Sequence, residues 1–169
     1  MHYAQIRKFD VANGPGIRSS LFVSGCVHNC PGCFNKDYQK FNYGNEWTKE
    51  VENQFIHQLK NPNIQGVTIL GGEPMDQITN MDLLNLVKRI KEETKLNLWI
   101  YSGYTFEEIL ENKLRCEILS YCDVLVDGKF VKEQKDLKLK FRGSKNQRII
   151  DVKSSLKQKQ VYLLSEDKY

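Results

Sequence analysis

Ser20-Leu21-Phe22-Val23-Ser24-Gly25-Cys26-Val27-His28-Asn29-Cys30-Pro31-Gly32-Cys33 decides how the rest of the chain is read. Its first five residues form a short, largely apolar strand. The strand stops at a loop that carries three cysteines with C-x3-C-x2-C spacing. A structural zinc site or an ordinary iron–sulfur cluster closes its coordination with four protein ligands. Three thiolates on one short loop hold a cubane by three of its irons and leave the fourth open to a small molecule. Zinc is the competing reading, with His28 completing a Cys3His set in a non-catalytic interaction module. Ligands only two residues apart strain a tetrahedral site, however. Disulfide pairing fits worse, because the chain has five cysteines, an odd number, and three this close cannot all pair.

The pattern of strand followed by unusual loop recurs along the chain. Gly66-Val67-Thr68-Ile69-Leu70 is a β-branched run that ends at Gly71-Gly72-Glu73-Pro74. Leu96 to Tyr101 reads as a strand ending at Ser102-Gly103-Tyr104, and Asp123 to Val126 as one closing on Asp127-Gly128-Lys129. Helices fill the intervals. Thr48 caps one that carries Val51, Phe55, Ile56 and Leu59 on one face. A second presents Leu83, Leu84, Val87 and Ile90, and Thr105 with Glu108 forms a capping box for a third. Strand–helix alternation predicts an α/β fold with a parallel sheet and outer helices. The four loops that follow strands then gather at the C-terminal edge of the sheet, where such folds build their sites. A complete eight-stranded barrel takes about 250 residues. With 169 residues, the chain predicts a partial, open barrel and a single domain over 1–169.

Composition narrows the function classes. Hydrophobic residues at 40% and charged residues at 27% give an ordinary globular balance with a sizeable core. No apolar run approaches the ~20 residues that span a bilayer, and the N-terminus lacks a signal-peptide core. The expectation is a cytoplasmic protein with no membrane attachment, whose thiols stay reduced. The net charge of +4 is mild, and no nucleic-acid module is present. From Lys129 to Arg148 basic residues are dense, which reads either as a solvated face or as a docking strip. Cys116 and Cys122 read as small apolar groups, and Trp47 and Trp99 as packing residues.

Several stretches carry a family resemblance. The cysteine spacing followed by Gly71-Gly72-Glu73-Pro74 resembles the radical S-adenosylmethionine (SAM) enzymes. Asn13-Gly14-Pro15-Gly16-Ile17-Arg18 is similar to the signature of the glycyl-radical-enzyme activating branch, with Asn13 in place of its usual aspartate. That asparagine, together with Val126-Asp127-Gly128-Lys129-Phe130 and Arg142-Gly143-Ser144-Lys145-Asn146-Gln147, resembles the activators of anaerobic ribonucleoside-triphosphate reductase. The resemblance runs from about Asn13 to Asp151.

What the resemblance implies is specific. The fold is a radical-SAM-type partial barrel. Cys26, Cys30 and Cys33 hold a 4Fe-4S cluster whose open iron takes the amino and carboxylate groups of SAM. Gly71, Gly72 and Glu73 face the SAM amino group, through the carboxylate or nearby backbone carbonyls. Backbone around Gly32, Cys33 and Phe34 meets the adenine, while Ser102, Asp127 and Lys129 complete the cofactor contacts. Many relatives place an aromatic residue directly before the third cysteine; here that position is Gly32 and Phe34 follows instead. The implied reaction splits SAM with one electron from a flavodoxin-like donor. The resulting radical takes a hydrogen from a glycine of the reductase, or of another glycyl-radical enzyme. A homodimer and a heterocomplex with the reductase are both compatible with the chain.

Overall fold

The computed structural model describes the backbone of residues 1–169 and every side chain except that of Lys168. Seven strands form one sheet: β1 (His2–Asp10), β2 (Arg18–Ser24), β3 (Asn45–Glu46), β4 (Gly66–Gly71), β5 (Asn97–Tyr101), β6 (Val124–Asp127) and β7 (Arg148–Asp151), in the order β3-β1-β2-β4-β5-β6-β7. The helices are α1 (Lys49–Gln58), α2 (Asp82–Glu93), α3 (Phe106–Leu110), α4 (Lys113–Ser120) and α5 (Val152–Gln158).

The four strands read from the sequence are the parallel centre: β2 pairs with β4, β4 with β5, and β5 with β6. The flanks depart from the all-parallel expectation. β1 runs antiparallel to β2 and β3, and β7 antiparallel to β6. The physical reason is the connections: β1 joins β2, and β6 joins β7, without a crossover helix, so each returns in the opposite direction.

Alternation across the pleat divides the core in two. Leu21, Ile69, Ile100, Leu125 and Ile150 stand opposite one another in consecutive strands, all fully buried. This row packs with residues from all five helices, among them Phe55, Leu83, Ile90, Phe106, Ile118 and Val152. Residues one step along each strand face the other way. Trp99, Val124, Val126 and Ile149 form a smaller cluster there, joined by Tyr101 and Phe141. The layering is therefore one-sided, with helices over one face and loops over the other.

Local signals hold where they were read. Thr48 Oγ1 accepts from Val51 N at 3.2 Å, and the Thr105–Glu108 capping box closes with bonds of 2.8 and 3.3 Å. Trp47, Trp99 and Cys122 are buried, while Cys116 is half-buried. No helix among the described residues is long and apolar enough to cross a membrane.

Candidate functional site

The loops that follow β2, β4, β5 and β6 meet at the C-terminal edge of the sheet and enclose a cavity. The β2 loop contributes Cys26, His28, Cys30, Cys33, Phe34 and Asn35. β4 and its loop supply Leu70 to Glu73, β5 supplies Tyr101 to Gly103, and β6 supplies Gly128 to Phe130. Gly143 and Gln147, which precede β7, close the remaining side.

Glycine is required where the β4 loop passes the cysteine loop. Gly71 has φ +116°, and a Cβ there would lie 2.6 Å from the Val23 carbonyl oxygen. A Cβ on Gly72 would lie 2.6 Å from the Gly25 oxygen and 2.7 Å from that of Tyr38. Side chains at these positions would force the two loops apart. Backbone bonds use the closeness: Gly72 N donates to Val23 O and Glu73 N to Gly25 O, both at 2.8 Å.

Glu73 ties three loops together. Its carboxylate is 1% exposed. Oε1 accepts from Ser102 Oγ and from Met75 N, each at 2.8 Å. Oε2 accepts from Gly103 N at 2.6 Å and lies 2.9 Å from His28 Nε2. The His28 ring also packs edge-on against Tyr104, with centroids 4.3 Å apart. A carboxylate has about four acceptor positions, so the side chain is fully occupied inside the protein. Ser102 Oγ is occupied as well, since it also accepts from Tyr104 N at 3.0 Å. Val27 N donates to Asp76 Oδ2 at 3.0 Å, a further tether on the cysteine loop.

The three thiols are free, half-buried and on one wall of the cavity. Burial pushes the Cys26 thiol up to about 11, with the Glu73 and Asp76 carboxylates acting in the same direction, and burial raises Cys30 too. Soft sulfur donors facing a shared space are the chemistry that iron–sulfur clusters take up, with loss of the thiol protons. Among the described residues no three His, Cys, Asp or Glu side chains converge on one point as a single metal ion requires. A cubane spreads its irons, so each thiolate meets its own; the donor set fits that group. His28, the fourth ligand of the zinc reading, is engaged by Glu73.

Of the residues predicted from sequence, Cys26, Cys30, Cys33, Phe34, Gly71, Gly72, Glu73, Ser102 and Lys129 line the cavity. Two do not. Gly32 faces a separate recess behind the cysteine loop. Asp127 lines a neighbouring hollow and is 1% exposed. Its oxygens accept from Arg148 Nε at 2.9 Å, from Arg148 Nη2 and from Phe106 N at 2.7 Å. Asp127 therefore fastens β7 and the start of α3, and its partnership raises the Arg148 pKa further.

Sequence reasoning missed His28 as the partner of Glu73, and missed Gln147. Gln147 Oε1 accepts from Gly143 N at 2.8 Å and Ser144 N at 3.1 Å, while Nε2 donates to Gly128 O at 3.0 Å. The run Arg142 to Gln147 was the available signal. The glycine-rich Asn13 to Arg18 segment lies at the opposite, N-terminal edge of the parallel strands. There Arg18 is buried, donating to Thr68 Oγ1 and Val67 O at 2.6 Å and to Asn97 O at 3.1 Å.

A family described as a 4Fe-4S single cluster domain matches residues 12–150. The chain is also similar to named relatives. It is 43% identical over 150 residues to the anaerobic ribonucleoside-triphosphate reductase-activating protein of Escherichia coli strain K12, covering 87% of this chain and 96% of the relative. The protein of that name from Vibrio cholerae gives the same identity and coverage. That of Enterobacteria phage T4 is 37% identical over 150 residues, covering 88% of this chain and 93% of its own. With its cysteine loop, its paired glycines and near-complete alignment to these relatives, this chain belongs to the family of anaerobic ribonucleoside-triphosphate reductase-activating proteins.

Proposed function

We propose that the chain is a radical SAM activating enzyme, holding a 4Fe-4S cluster on Cys26, Cys30 and Cys33 and installing a glycyl radical on an anaerobic ribonucleoside-triphosphate reductase. The observation that carries this reading is the meeting of three free thiols with Gly71, Gly72 and Glu73 in one cavity. When bound, the cluster and SAM together supply one-electron hydrogen-abstraction chemistry, and the protein supplies binding, orientation and exclusion of water.

Each wall has a task in this proposal. The thiols give up their protons to become iron ligands. The backbone carbonyls of Gly71 and Gly72 accept from the SAM ammonium, because the Glu73 carboxylate is already occupied by four partners. Glu73 holds the wall in place. Lys129, exposed on the cavity rim, meets the carboxylate end. Leu70, Phe34 and Phe130 give an apolar surface for the adenosine and keep water from the reacting atoms. The sheet is then the wall of an open partial barrel within one domain over 1–169, whose mouth admits a glycine-bearing loop of the reductase. A flavodoxin-like protein in the cytoplasm supplies the electron, and the working assembly is a homodimer or a heterocomplex with the reductase.

The test is anaerobic. Reconstituted protein is incubated with reductase, SAM and a reductant, and the mixture is followed by electron paramagnetic resonance. A glycyl radical that requires all three cysteines is the expected result. Its absence, with cluster and SAM both bound, would overturn the proposal.

A further inference from the structure

The cysteine loop has two sides. Its inner side faces the cavity, while its outer side forms a second recess that exposes Cys30, Pro31, Gly32 and Cys33 beside Lys36. Gly32 has φ +73°, and a Cβ there would lie 3.3 Å from Cδ of Lys132, so the stem of that lysine runs along the loop. Lys135 Nζ stands 4.9 Å from the centre of the Phe34 ring, which is 64% exposed and packs at 5.1 Å on Phe130. Lys36, Lys132 and Lys135 are all exposed, and none of them lines the cavity. Their acidic sequence neighbours are Asp37, Glu133 and Asp136, the last of which is paired with Lys145. The face thus has a lysine rim beside the outer side of two of the three thiols, an arrangement suited to charge-steered association.

We infer that this outer face docks an acidic protein that carries one electron, apart from the opening through which the substrate protein reaches the cavity. The inference rests on the three-thiolate reading above. The two traffics have different needs. A glycine must come within reach of SAM, inside the cavity. An electron needs only close approach to the group held by the thiolates, and Cys30 and Cys33 offer that from behind. The step is a single electron transfer: the donor is oxidised by one electron, the group on the thiolates is reduced by one, and no bond forms or breaks. Arg142 and Arg148 of the basic segment are taken up internally, by Gln147 O and by Asp127 and Glu107. Within that segment, Lys132 and Lys135 are exposed lysines that the structure sets against the cysteine loop and the Phe34 that follows it.

The experiment compares wild-type protein with the triple variant Lys36→Glu, Lys132→Glu, Lys135→Glu, using a purified flavodoxin as probe. A control variant, Lys60→Glu with Lys95→Glu, alters exposed lysines placed just before β4 and β5, at the opposite edge of the sheet. Binding of flavodoxin is measured by calorimetry at low and high salt, with and without the cluster. The triple variant should lose about tenfold or more in affinity and most of its salt dependence, and the control should not. Reduction by dithionite, SAM cleavage driven by it, and binding to the reductase should be unchanged in both. Unchanged flavodoxin affinity in the triple variant overturns the inference, as does selective loss of reductase binding or of binding to single-stranded nucleic acid. Failure of the wild type to cleave SAM with dithionite would instead contradict the proposed function, a result read separately from docking.

Discussion

Glu73 shows why a motif's letters and its working atoms differ. The sequence marks the residue through the glycines before it, and leaves open whether its carboxylate or the nearby backbone carbonyls meet the cofactor. The structure encloses that carboxylate among Ser102, Met75, Gly103 and His28. Glu73→Ala would strand several buried donors, each costing about 1–3 kcal/mol. Urea unfolding should register the loss, and SAM affinity should fall with it because the loop carbonyls shift. His28→Ala should weaken SAM binding in the same direction while leaving the three thiols in place. Asp127 makes the contrasting case. Asp127→Asn should cost about 1–3 kcal/mol of stability by breaking the paired bond to Arg148, yet leave SAM affinity unchanged. A large loss of SAM affinity without loss of stability would return Asp127 to the cofactor site. Neither pairing was legible beforehand, because His28 and Glu73 are 45 residues apart and Asp127 and Arg148 are 21 apart.

Elements were far more legible than pairings. Capping residues act on neighbours within one turn, so Thr48 and Thr105 announced α1 and α3 directly. Thr105→Ala should cost about 1 kcal/mol by chemical denaturation, since it removes one side of the capping box. The central strands were visible because buried parallel strands read as continuous apolar runs. The flanking strands were not. β1 loses its alternation at Tyr3-Ala4 and at Arg7-Lys8, where its pairing with β2 shifts register, β3 is two residues long, and β7 is four. Their strand character comes from pairing with a sheet already formed, which local composition does not record. The position of the Asn13–Arg18 loop followed from this too: preceding a strand of the parallel centre, it falls at the edge away from the cavity.

At the scale of the molecule, acid stability follows from carboxylates held in the protein with their partners, Glu52 buried and Asp123 half-buried. Burial acts to raise Glu52, but bonds from Lys49, Arg89 and Trp47 Nε1 outweigh it and hold the carboxyl below its usual range. Asp123 behaves alike: burial raises it, while Lys91, Leu98 N and Lys153 lower it further. Both groups have depressed pKa values in the folded state. Their contribution is complete above the ordinary carboxylate range and declines as pH falls through and below about 4. Unfolding midpoints of the metal-free protein should therefore drop on acidification into that window, and Glu52→Gln should flatten the dependence. A profile unchanged by the substitution would remove Glu52 from this account. The same fold that holds these anchors leaves the cysteine loop half-exposed at the sheet edge, where the proposed cluster and its cofactor would meet. The most direct measurement is electron–nuclear double resonance on the reduced, reconstituted protein with SAM carrying nitrogen-15 in its amino group. The account predicts a nitrogen coupling of a directly bound ligand in wild-type protein and its retention in Cys116→Ala. A SAM-saturated cluster without that coupling would contradict it.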